Sequence, residues 1–316
     1  MRIDVPVISV GNLTAGGTGK TPLVEYLIRY YLMLNKKIAV LSRGYKRTTY
    51  GMKIVSDGSS IYGTAATMGD EPFQIARKFP RVIVVVDENR VRAAKMVVEK
   101  YTPDVILLDD GFQHRGIVRD LNIVVIDGRR PLSEIHMIPA GLRREPISAL
   151  RRADFLILSQ NSGSSETRLN DLLQHSGKSA TIVRFKPSVL REFVTDAEVS
   201  LSSDRRTNCV AFCGIGNPDS FKETLAEIGF SIEEFIVFPD HHQYDLNDMK
   251  KIQNKYDKCK VDYLITTEKD AMRLRSIQLP ETFPLKSMYF IEIVAIITEG
   301  EKQLHSLLEK TIMKVA

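Results

Sequence analysis

The sequence VPVISV-GNLTAGGTGKT-PLVEYL, residues 5–27, joins three local patterns. An apolar run that can form a buried strand meets a glycine-rich turn, and the turn opens into a segment with apolar side chains at Leu23, Tyr26 and Leu27. The spacing of these three side chains predicts a helix. A strand, a glycine-rich loop and a helix in this order are the context of a phosphate-binding loop.

The residues of this loop have the chemistry needed to bind a nucleotide. Gly16, Gly17 and Gly19 let the backbone approach an anion closely, with the amides of the helix start pointing toward it. Lys20 can reach the outer phosphates, and the Thr21 hydroxyl can bind magnesium. The predicted nucleotide-binding residues are Thr14, Ala15, Gly16, Gly17, Thr18, Gly19, Lys20 and Thr21.

The loop departs from the strict pattern G-x-x-x-x-G-K-[ST] at its first position, where this chain has Thr14. Some P-loop ATPases that act as switches carry a second lysine just before the paired glycines, and this chain has Ala15 there. The sequence therefore argues against the switch branch of these ATPases.

Length and composition bound the class of protein. The 316 residues correspond to two domains of about 150 residues each, and the 43% of hydrophobic residues can form real cores. No segment approaches the roughly 20 uninterrupted apolar residues of a membrane span, and no signal peptide precedes the first strand, so we expect a cytoplasmic protein. A net charge of +5 is too small to imply nucleic-acid binding. Neither a disulfide framework nor a zinc site is predicted by Cys209, Cys213 and Cys259, which we expect to be free thiols.

Beyond the loop, short apolar runs alternate with helical patterns. The β-branched run at 82–86 is typical of a strand buried on both faces of a parallel sheet. The segment 56–67, rich in Gly and Ser, predicts a surface loop. Predicted strands lie at 38–42, 82–86, 105–108, 123–126 and 155–158, with predicted helices at 70–78 and 90–101. The alternation predicts an α/β fold with a parallel sheet of the P-loop NTPase type.

The pattern changes around residues 181–194, where short β runs are broken by Pro187. A second α/β series follows, with predicted strands at 210–213, 235–238, 263–266 and 288–293 and predicted helices at 221–229, 246–256 and 299–310. We therefore expect two doubly wound α/β domains. They are a P-loop kinase domain at 1–180, a short β linker at 181–204, and a smaller α/β domain at 205–316 that closes the cleft.

Two adjacent acids follow the buried strand predicted at 105–108. In a nucleotide site, a carboxylate at the end of a strand beside the P-loop holds the metal ion that bridges the outer phosphates. Asp109 and Asp110 are neighbours, so their side chains point in different directions and can serve two contacts. The structural alternative is a pair of acids in a turn.

Three further positions allow both a structural and a catalytic interpretation. Asp70 opens a helix and is a good N-cap, while its catalytic role would be a base that accepts the proton of an acceptor hydroxyl. His241 lies in a turn, where histidine is usually solvated. Arg144 could bind a transferring phosphoryl group, although basic loop residues are usually solvated as well.

Several short motifs together resemble the tetraacyldisaccharide 4'-kinase family, the lipid A 4'-kinases. They span nearly the whole chain in the family's order, and Thr14 at the first P-loop position is also usual in that family. The D-D-G-F-Q-H block is highly specific. The motifs are GNLTAGGTGKTP (11–22), SRGY (42–45), GDEP (69–72), LDDGFQH (108–114), PAGLRREP (139–146), GIGNP (214–218), DH (240–241) and TEKD (267–270).

The resemblance implies a kinase that uses ATP and Mg²⁺ to phosphorylate the 4' hydroxyl of a tetraacyl-glucosamine disaccharide 1-phosphate, a lipid A precursor. We accordingly expect a monomer, peripheral on the cytoplasmic face of the inner membrane of a Gram-negative bacterium, with no nucleic-acid partner. By the same resemblance, Asp70 is the base and His241 its partner across the cleft. The other implied site residues are Lys20 and Thr21 on phosphate and magnesium, Asp109 and Asp110 on the metal, and Arg144 and Glu145 in the active site.

Members of that family usually carry about 30 further residues before the first strand, including an amphipathic helix that docks on the membrane. Here the sequence begins almost at the strand, so either such a helix belongs before it or docking relies on other surfaces. Residues 129–152 contain six Arg and only two Glu, and we expect this segment to bind anionic membranes in a salt-sensitive way.

Other functions stay open on the residues alone. A P-loop switch ATPase or GTPase is disfavoured by Ala15 and by residues 267–270, which do not match the guanine-reading pattern [NT]-K-x-D. A P-loop kinase for another small-molecule acceptor is excluded only by the family motifs, because the loop and the acid pair indicate phosphoryl transfer and not its acceptor. A non-enzymatic binding module is the least favoured alternative.

Overall fold

Short apolar strands alternate with helices in the computed structural model, which describes residues 1–128, 132–160, 178–199 and 207–313. The strands are β1 (Val7–Asn12), β2 (Ile38–Ser42), β3 (Lys53–Asp57), β4 (Ile83–Val86), β5 (Val105–Asp109), β6 (Leu121–Asp127), β7 (Phe155–Gln160), β8 (Ser179–Glu192), β9 (Glu198–Val199), β10 (Thr207–Cys213), β11 (Phe230–Val237), β12 (Tyr263–Thr267) and β13 (Met288–Glu299). The helices are α1 (Lys20–Met33), α2 (Ala65–Met68), α3 (Asp70–Lys78), α4 (Arg90–Tyr101), α5 (Pro218–Glu227), α6 (Leu246–Cys259), α7 (Glu268–Leu274) and α8 (Glu301–Met313).

The strands form one 13-stranded sheet in the order β11-β10-β12-β13-β8-β7-β6-β1-β5-β2-β4-β3, with β9 paired to β8. Neighbouring strands are parallel except at β3–β4, β8–β9 and β8–β13. The predicted α/β class with a parallel sheet after the P-loop is confirmed. Strands from both predicted domains share this sheet, and the division of the chain at 180 and 205 stays a prediction.

Burial on both faces explains why the central strands are apolar throughout. Ile8 and Val10 face one core cluster, which α1 and α3 cover, whereas Val7 faces a second cluster under α4. Each fully buried side chain of this size contributes about 1.5–3 kcal/mol. The first cluster continues beneath α6, α7 and α8, so a single core underlies both parts of the sheet.

Two local predictions are wrong. Residues 56–57 end the edge strand β3, and α2 lies where the surface loop was expected to finish. Pro187 does not break the chain into short runs, because β8 extends over 14 residues across it. The register with β13 shifts at this proline, between Glu292 and Ile293, and such an irregularity accommodates a residue without an N–H.

The three cysteines are free thiols in the structure. Cys209 and Cys213 are buried free thiols, as predicted, and Cys259 is a half-buried one. Within the described ranges, no helix combines the length and the hydropathy that crossing a membrane requires.

Candidate active site

The glycine-rich loop connects β1 to α1, as predicted. Gly19 precedes the helix at a φ of 85°, in the left-handed region that favours glycine. A Cβ atom there would lie 2.0 Å from the ring of Phe185, so only glycine fits. A Cβ atom on Gly17, in contrast, would meet nothing within 4 Å. The loop is therefore packed at Gly19 and open at Gly17, which is the space an anion needs.

A distant segment, residues 142–144, runs alongside this loop. The backbone N–H of Ala15 donates to the carbonyl of Leu142 at 2.7 Å, and the N–H of Arg144 donates to the carbonyl of Leu13 at 2.8 Å. These two backbone hydrogen bonds fix the position of Arg144 beside the P-loop.

Asp110 is the counter-charge of two cations at the loop. Its Oδ1 lies 3.6 Å from the Nζ of Lys20, and Nη1 of Arg144 donates to its two carboxylate oxygens at 3.1 and 2.9 Å. The residue has a φ of 47°, so the chain turns sharply as it leaves β5. Burial alone would raise the pKa of Asp110, but the charges of Lys20 and Arg144 outweigh it and leave that pKa lowered.

Asp109 is the last residue of β5 and is buried beneath the loop. Because β5 pairs with β2, the hydroxyl of Ser42 lies beside it and donates to Oδ2 at 3.1 Å. Burial, followed by the charge of Asp110, raises the pKa of Asp109 to about 6. Burial also lowers the pKa of Lys20, despite the two nearby carboxylates.

The oxygen atoms at this place fit a magnesium ion. Mg²⁺ is typically held by one or two carboxylates together with phosphate oxygens and water, and not by a cage of protein ligands. Asp109 and Asp110 would supply the carboxylates, and Thr21, buried in the first turn of α1, would supply a hydroxyl. The described residues contain no group of three or more His, Cys, Asp or Glu placed to hold a metal.

Asp70 is not an N-cap, so the structural interpretation of this residue is wrong. The cap position of α3 is Gly69, without a side-chain hydrogen bond, and Asp70 is the first residue of the helix. Its carboxylate is buried, and Oδ2 accepts hydrogen bonds from Nδ1 of His241 at 2.9 Å and from Nε of Arg273 at 2.8 Å. Two partners from the C-terminal part of the chain thus hold the carboxylate away from the helix end.

The electrostatics indicate which residue of the Asp70–His241 pair carries the proton. Burial would raise the pKa of Asp70, but the hydrogen bond from His241 and the charge of Arg273 outweigh it and lower that pKa. An ionised carboxylate can only accept, so Nδ1 of His241 carries the proton between them. All hydrogen bonds that described residues make to the Asp70 side chain fall on Oδ2. Oδ1 is therefore available to another donor.

An ion pair connects the two groups of residues. Nζ of Lys269 lies 2.6 Å from Oε1 of Glu71, the neighbour of Asp70. The positive charge of Lys269 is near enough to contribute, after burial, to the lowered pKa of Lys20, and the negative charge of Glu71 contributes, after burial and Asp110, to the raised pKa of Asp109. The P-loop group and the Asp70 group therefore belong to one electrostatic site.

The structure thus brings together most of the predicted site residues. Lys20, Asp109, Asp110 and Arg144 form one group, and Asp70 and His241 form the other. Glu145 lies in neither group, because its carboxylate accepts two hydrogen bonds from Nη2 of Arg152, at 2.9 and 2.7 Å.

Four site residues were not predicted from the sequence. Ser42, Glu71 and Lys269 lie inside motifs that carry the resemblance, but the sequence assigned no role to them. The i,i+3 spacing of Asp270 and Arg273 on one helix was the available signal for Arg273. The missed residues are Ser42, Glu71, Lys269 and Arg273.

The chain is similar to known proteins over nearly its whole length. Residues 1–313 match the family model of tetraacyldisaccharide-1-P 4'-kinase. The tetraacyldisaccharide 4'-kinase of Chlorobium phaeobacteroides is 39% identical over 98% of this chain and 88% of its own length. That of Syntrophus aciditrophicus is 38% identical over 90% of this chain and 80% of its own. The crystal structure of LpxK from Aquifex aeolicus in complex with ATP is 32% identical, with a TM-score of 0.77 over 99% of this chain and 90% of that one. The chain belongs to the tetraacyldisaccharide-1-P 4'-kinase family.

Proposed function

We propose that this protein transfers the γ-phosphoryl group of ATP to the 4' hydroxyl of a tetraacyldisaccharide 1-phosphate, a reaction of lipid A biosynthesis. The names of the relatives supply the acceptor. The observation that carries the proposal is the Glu71–Lys269 ion pair, which joins a phosphate-binding group to a group able to accept a proton. A kinase needs both, whereas a switch ATPase needs no base for a sugar hydroxyl.

The P-loop group binds the phosphates of ATP. The loop amides and Lys20 bind the outer phosphates, and Arg144 stabilises the negative charge that develops on the transferring group. Thr21, Asp109 and Asp110 would hold magnesium. When bound, this ion neutralises charge on the β- and γ-phosphates.

The Asp70 group accepts the proton of the acceptor hydroxyl. Oδ1 of Asp70 accepts the proton of the 4' hydroxyl, while His241 and Arg273 hold Oδ2. A positioned general base of this kind contributes about 10²- to 10⁴-fold to the rate. A loose phosphoryl-transfer transition state relies on positioning more than on a strong base, so a carboxylate of lowered pKa is suitable.

We also propose that the protein works as a monomer in the cytoplasm, bound peripherally to the inner membrane. An enzyme for an acylated sugar must hold its site at the headgroup layer. The loop beside the P-loop exposes apolar side chains, with relative exposures of 39% for Met137, 54% for Ile138 and 55% for Leu142. Exposed apolar groups beside basic residues are typical of membrane-surface contacts.

Three arginines of the basic segment, residues 129–152, contact other groups of the protein. Arg144 is engaged by Asp110, Arg152 by Glu145, and Arg143 by the carbonyl of Leu132. Arg151 is exposed, and Arg129 and Arg130 lie outside the described residues. The proposed surface therefore combines the apolar loop with Arg151, which is exposed and donates only to the carbonyl of Ser148 among the described residues, and with Arg129 and Arg130 by their sequence alone.

The reaction is tested with purified protein, γ-labelled ATP and tetraacyldisaccharide 1-phosphate in detergent micelles. We expect label in the lipid product, dependent on Mg²⁺, and none with the same disaccharide blocked at its 4' hydroxyl. Release of labelled phosphate at the same rate without acceptor would contradict the proposal and favour a switch ATPase. If soluble sugars offered in place of the disaccharide are labelled, the protein is a kinase for another small-molecule acceptor.

A further inference from the structure

Arg273 is buried beside Asp70, and its guanidinium contacts two carboxylates and a backbone carbonyl. Its side chain is 3% exposed, and its Nη2 lies 2.7 Å from Oδ2 of Asp70 in addition to the Nε hydrogen bond already described. Nη1 donates to Oδ1 of Asp270 and to the carbonyl of Gly214, each at 2.7 Å. The guanidinium is thus fixed on three sides, and one side is the carboxylate of Asp70.

Asp270 is itself held rigidly, which makes Arg273 a fixed support. Its side chain is fully buried, and its two oxygens accept from the hydroxyl of Tyr244 at 2.9 Å, the N–H of Gly214 at 3.0 Å and the hydroxyl of Thr267 at 2.6 Å. A planar guanidinium with bonds in several directions loses little further entropy when it binds a carboxylate. The orientation of Arg273 is therefore set before any substrate binds.

We infer that Arg273 is a positioning residue, which fixes Oδ2 of Asp70 so that Oδ1 faces the acceptor hydroxyl. This inference rests on the proposed function. Without Arg273, Asp70 would keep only His241, which is carried by a turn at a φ of 61° and not by a helix or a strand. A base must be held within a fraction of an ångström of its productive geometry, and one hydrogen bond from a turn does not ensure that.

The competing interpretation is a purely structural ion pair. Asp270 and Arg273 are three residues apart on α7, and such pairs stabilise helices without any role in chemistry. The two interpretations differ in the pH dependence of catalysis. The charged groups that face Asp70 are Arg273, His241, Lys269 and Glu71. Loss of Arg273 removes a cation from a buried carboxylate, which favours its protonated form.

The test compares kcat, KM and pH profiles of Arg273→Met and Arg273→Lys with wild type. For Arg273→Met we expect kcat to fall roughly 10- to 100-fold with little change in KM for ATP. The acidic limb of the kcat profile should move to higher pH by about one to three units. Arg273→Lys retains the charge and should recover part of both effects.

Arg275→Met is the matched control. Arg275, two residues further on, donates to the carbonyl of Phe193 at 2.7 Å and pairs with Asp196, but it does not touch Asp70. Its loss should lower Tm and leave the pH profile where it was. If Arg273→Met does not fold, Tyr244→Phe removes a single hydroxyl from Asp270 and should move the profile in the same direction by a smaller amount.

The inference is overturned if folded Arg273 variants keep the wild-type pH profile, or if Arg275→Met moves the profile equally. If Tyr244→Phe replaces Arg273→Met as the test variant, a wild-type pH profile of Tyr244→Phe also overturns the inference. Failure of the proposed function is seen separately, because wild type would then transfer no phosphoryl group to the disaccharide.

Discussion

Nζ of Lys20 lies 3.6 Å from Oδ1 of Asp110, so the lysine predicted to bind phosphate and a predicted metal ligand form an ion pair at the P-loop. Both side chains are largely buried, and Arg144 shares the same carboxylate. The positive charges that a nucleotide needs are therefore in place and oriented before it binds.

Replacement of this lysine should abolish transfer and spare the fold. In Lys20→Ala, Asp110 keeps Arg144, and no apolar side chain leaves the core. We expect no measurable product, with a Tm close to that of wild type and of the exposed control Lys95→Ala. Near-normal turnover by folded Lys20→Ala would falsify the phosphate-binding role.

Alanine at two glycine positions of the loop should impair different properties, ATP binding in one variant and stability in the other. Gly17→Ala places its methyl group in open space, so we expect an unchanged Tm and at least about tenfold weaker ATP binding, a loss of about 1.4 kcal/mol. Gly19→Ala meets the Phe185 ring at a positive φ, and should lose about 1–3 kcal/mol of stability. Calorimetry of ATP binding and thermal melts separate the two, and equal melting temperatures would contradict the packing argument.

Asp70→Asn should lower kcat far more than it raises KM, because a base acts in the transition state. The loss should be about 10²- to 10⁴-fold. If Asp70 and His241 act as one unit, the double variant Asp70→Asn/His241→Ala is no slower than Asp70→Asn alone. Multiplicative losses in this double-mutant cycle, measured by transfer rate at saturating substrates, would show that the two residues act independently.

Stability should depend on pH through a buried cluster beneath the cleft. Nζ of Lys78 lies 2.9 Å from Glu25, 3.0 Å from Glu268 and 3.3 Å from Glu292, so three carboxylates surround one ammonium. Burial, followed by the charge of Glu25, raises the pKa of Glu268 to about 8 from an ordinary value of 4.5. The folded state therefore binds this proton more tightly than the unfolded state, and stability falls as pH rises between these two values.

Glu268→Gln removes that titration. The Tm of the variant relative to wild type should therefore increase as pH is raised from about 5 to about 8. The exposed Glu227→Gln serves as the control and should show a constant difference. A constant Tm difference for Glu268→Gln as well would mean that Glu268 is ionised throughout this range.

Membrane binding should involve both the apolar loop and the arginines of the basic segment. Ile138→Ser/Leu142→Ser should weaken sedimentation with anionic vesicles at any salt concentration, whereas Arg129→Ser/Arg130→Ser/Arg151→Ser should weaken it mainly at low salt. Each basic residue near an anionic surface contributes about 1 kcal/mol, and this is screened within a Debye length of about 10 Å at 0.1 M salt. Wild-type binding by both variants would place the contact on another surface.

Much of the fold could be predicted because its signals are local. Helix α4 was predicted with the bounds it has, since Asn89 caps it and the buried runs on either side delimit it. The edge strand β3 was missed, because its sequence K-I-V-S-D lacks a buried run, and its pairing with β4 depends on tertiary contacts.

The site was predictable in part for the same reason. Lys20, Asp109 and Asp110 follow from a loop and a strand end that can be read from the sequence. The contact of Arg273 with Asp70 joins residues 203 positions apart, and no spacing rule indicates it. That contact also engages the Asp70 carboxylate, which makes no capping hydrogen bond to the start of α3.

The antiparallel pair β8–β13 limits how the cleft can open. Its ladder runs from Tyr289 opposite Glu192 to Glu299 opposite Ile182, with register shifts after Glu292 and after Ile297, and it joins two parallel arrays into one sheet. Rotation of the two arrays as rigid bodies would break hydrogen bonds of this ladder, so we expect any relative movement of the arrays to be a twist of the shared sheet. Such a deformation is distributed over many residues, and its amplitude is set by the bending stiffness of the backbone ladder.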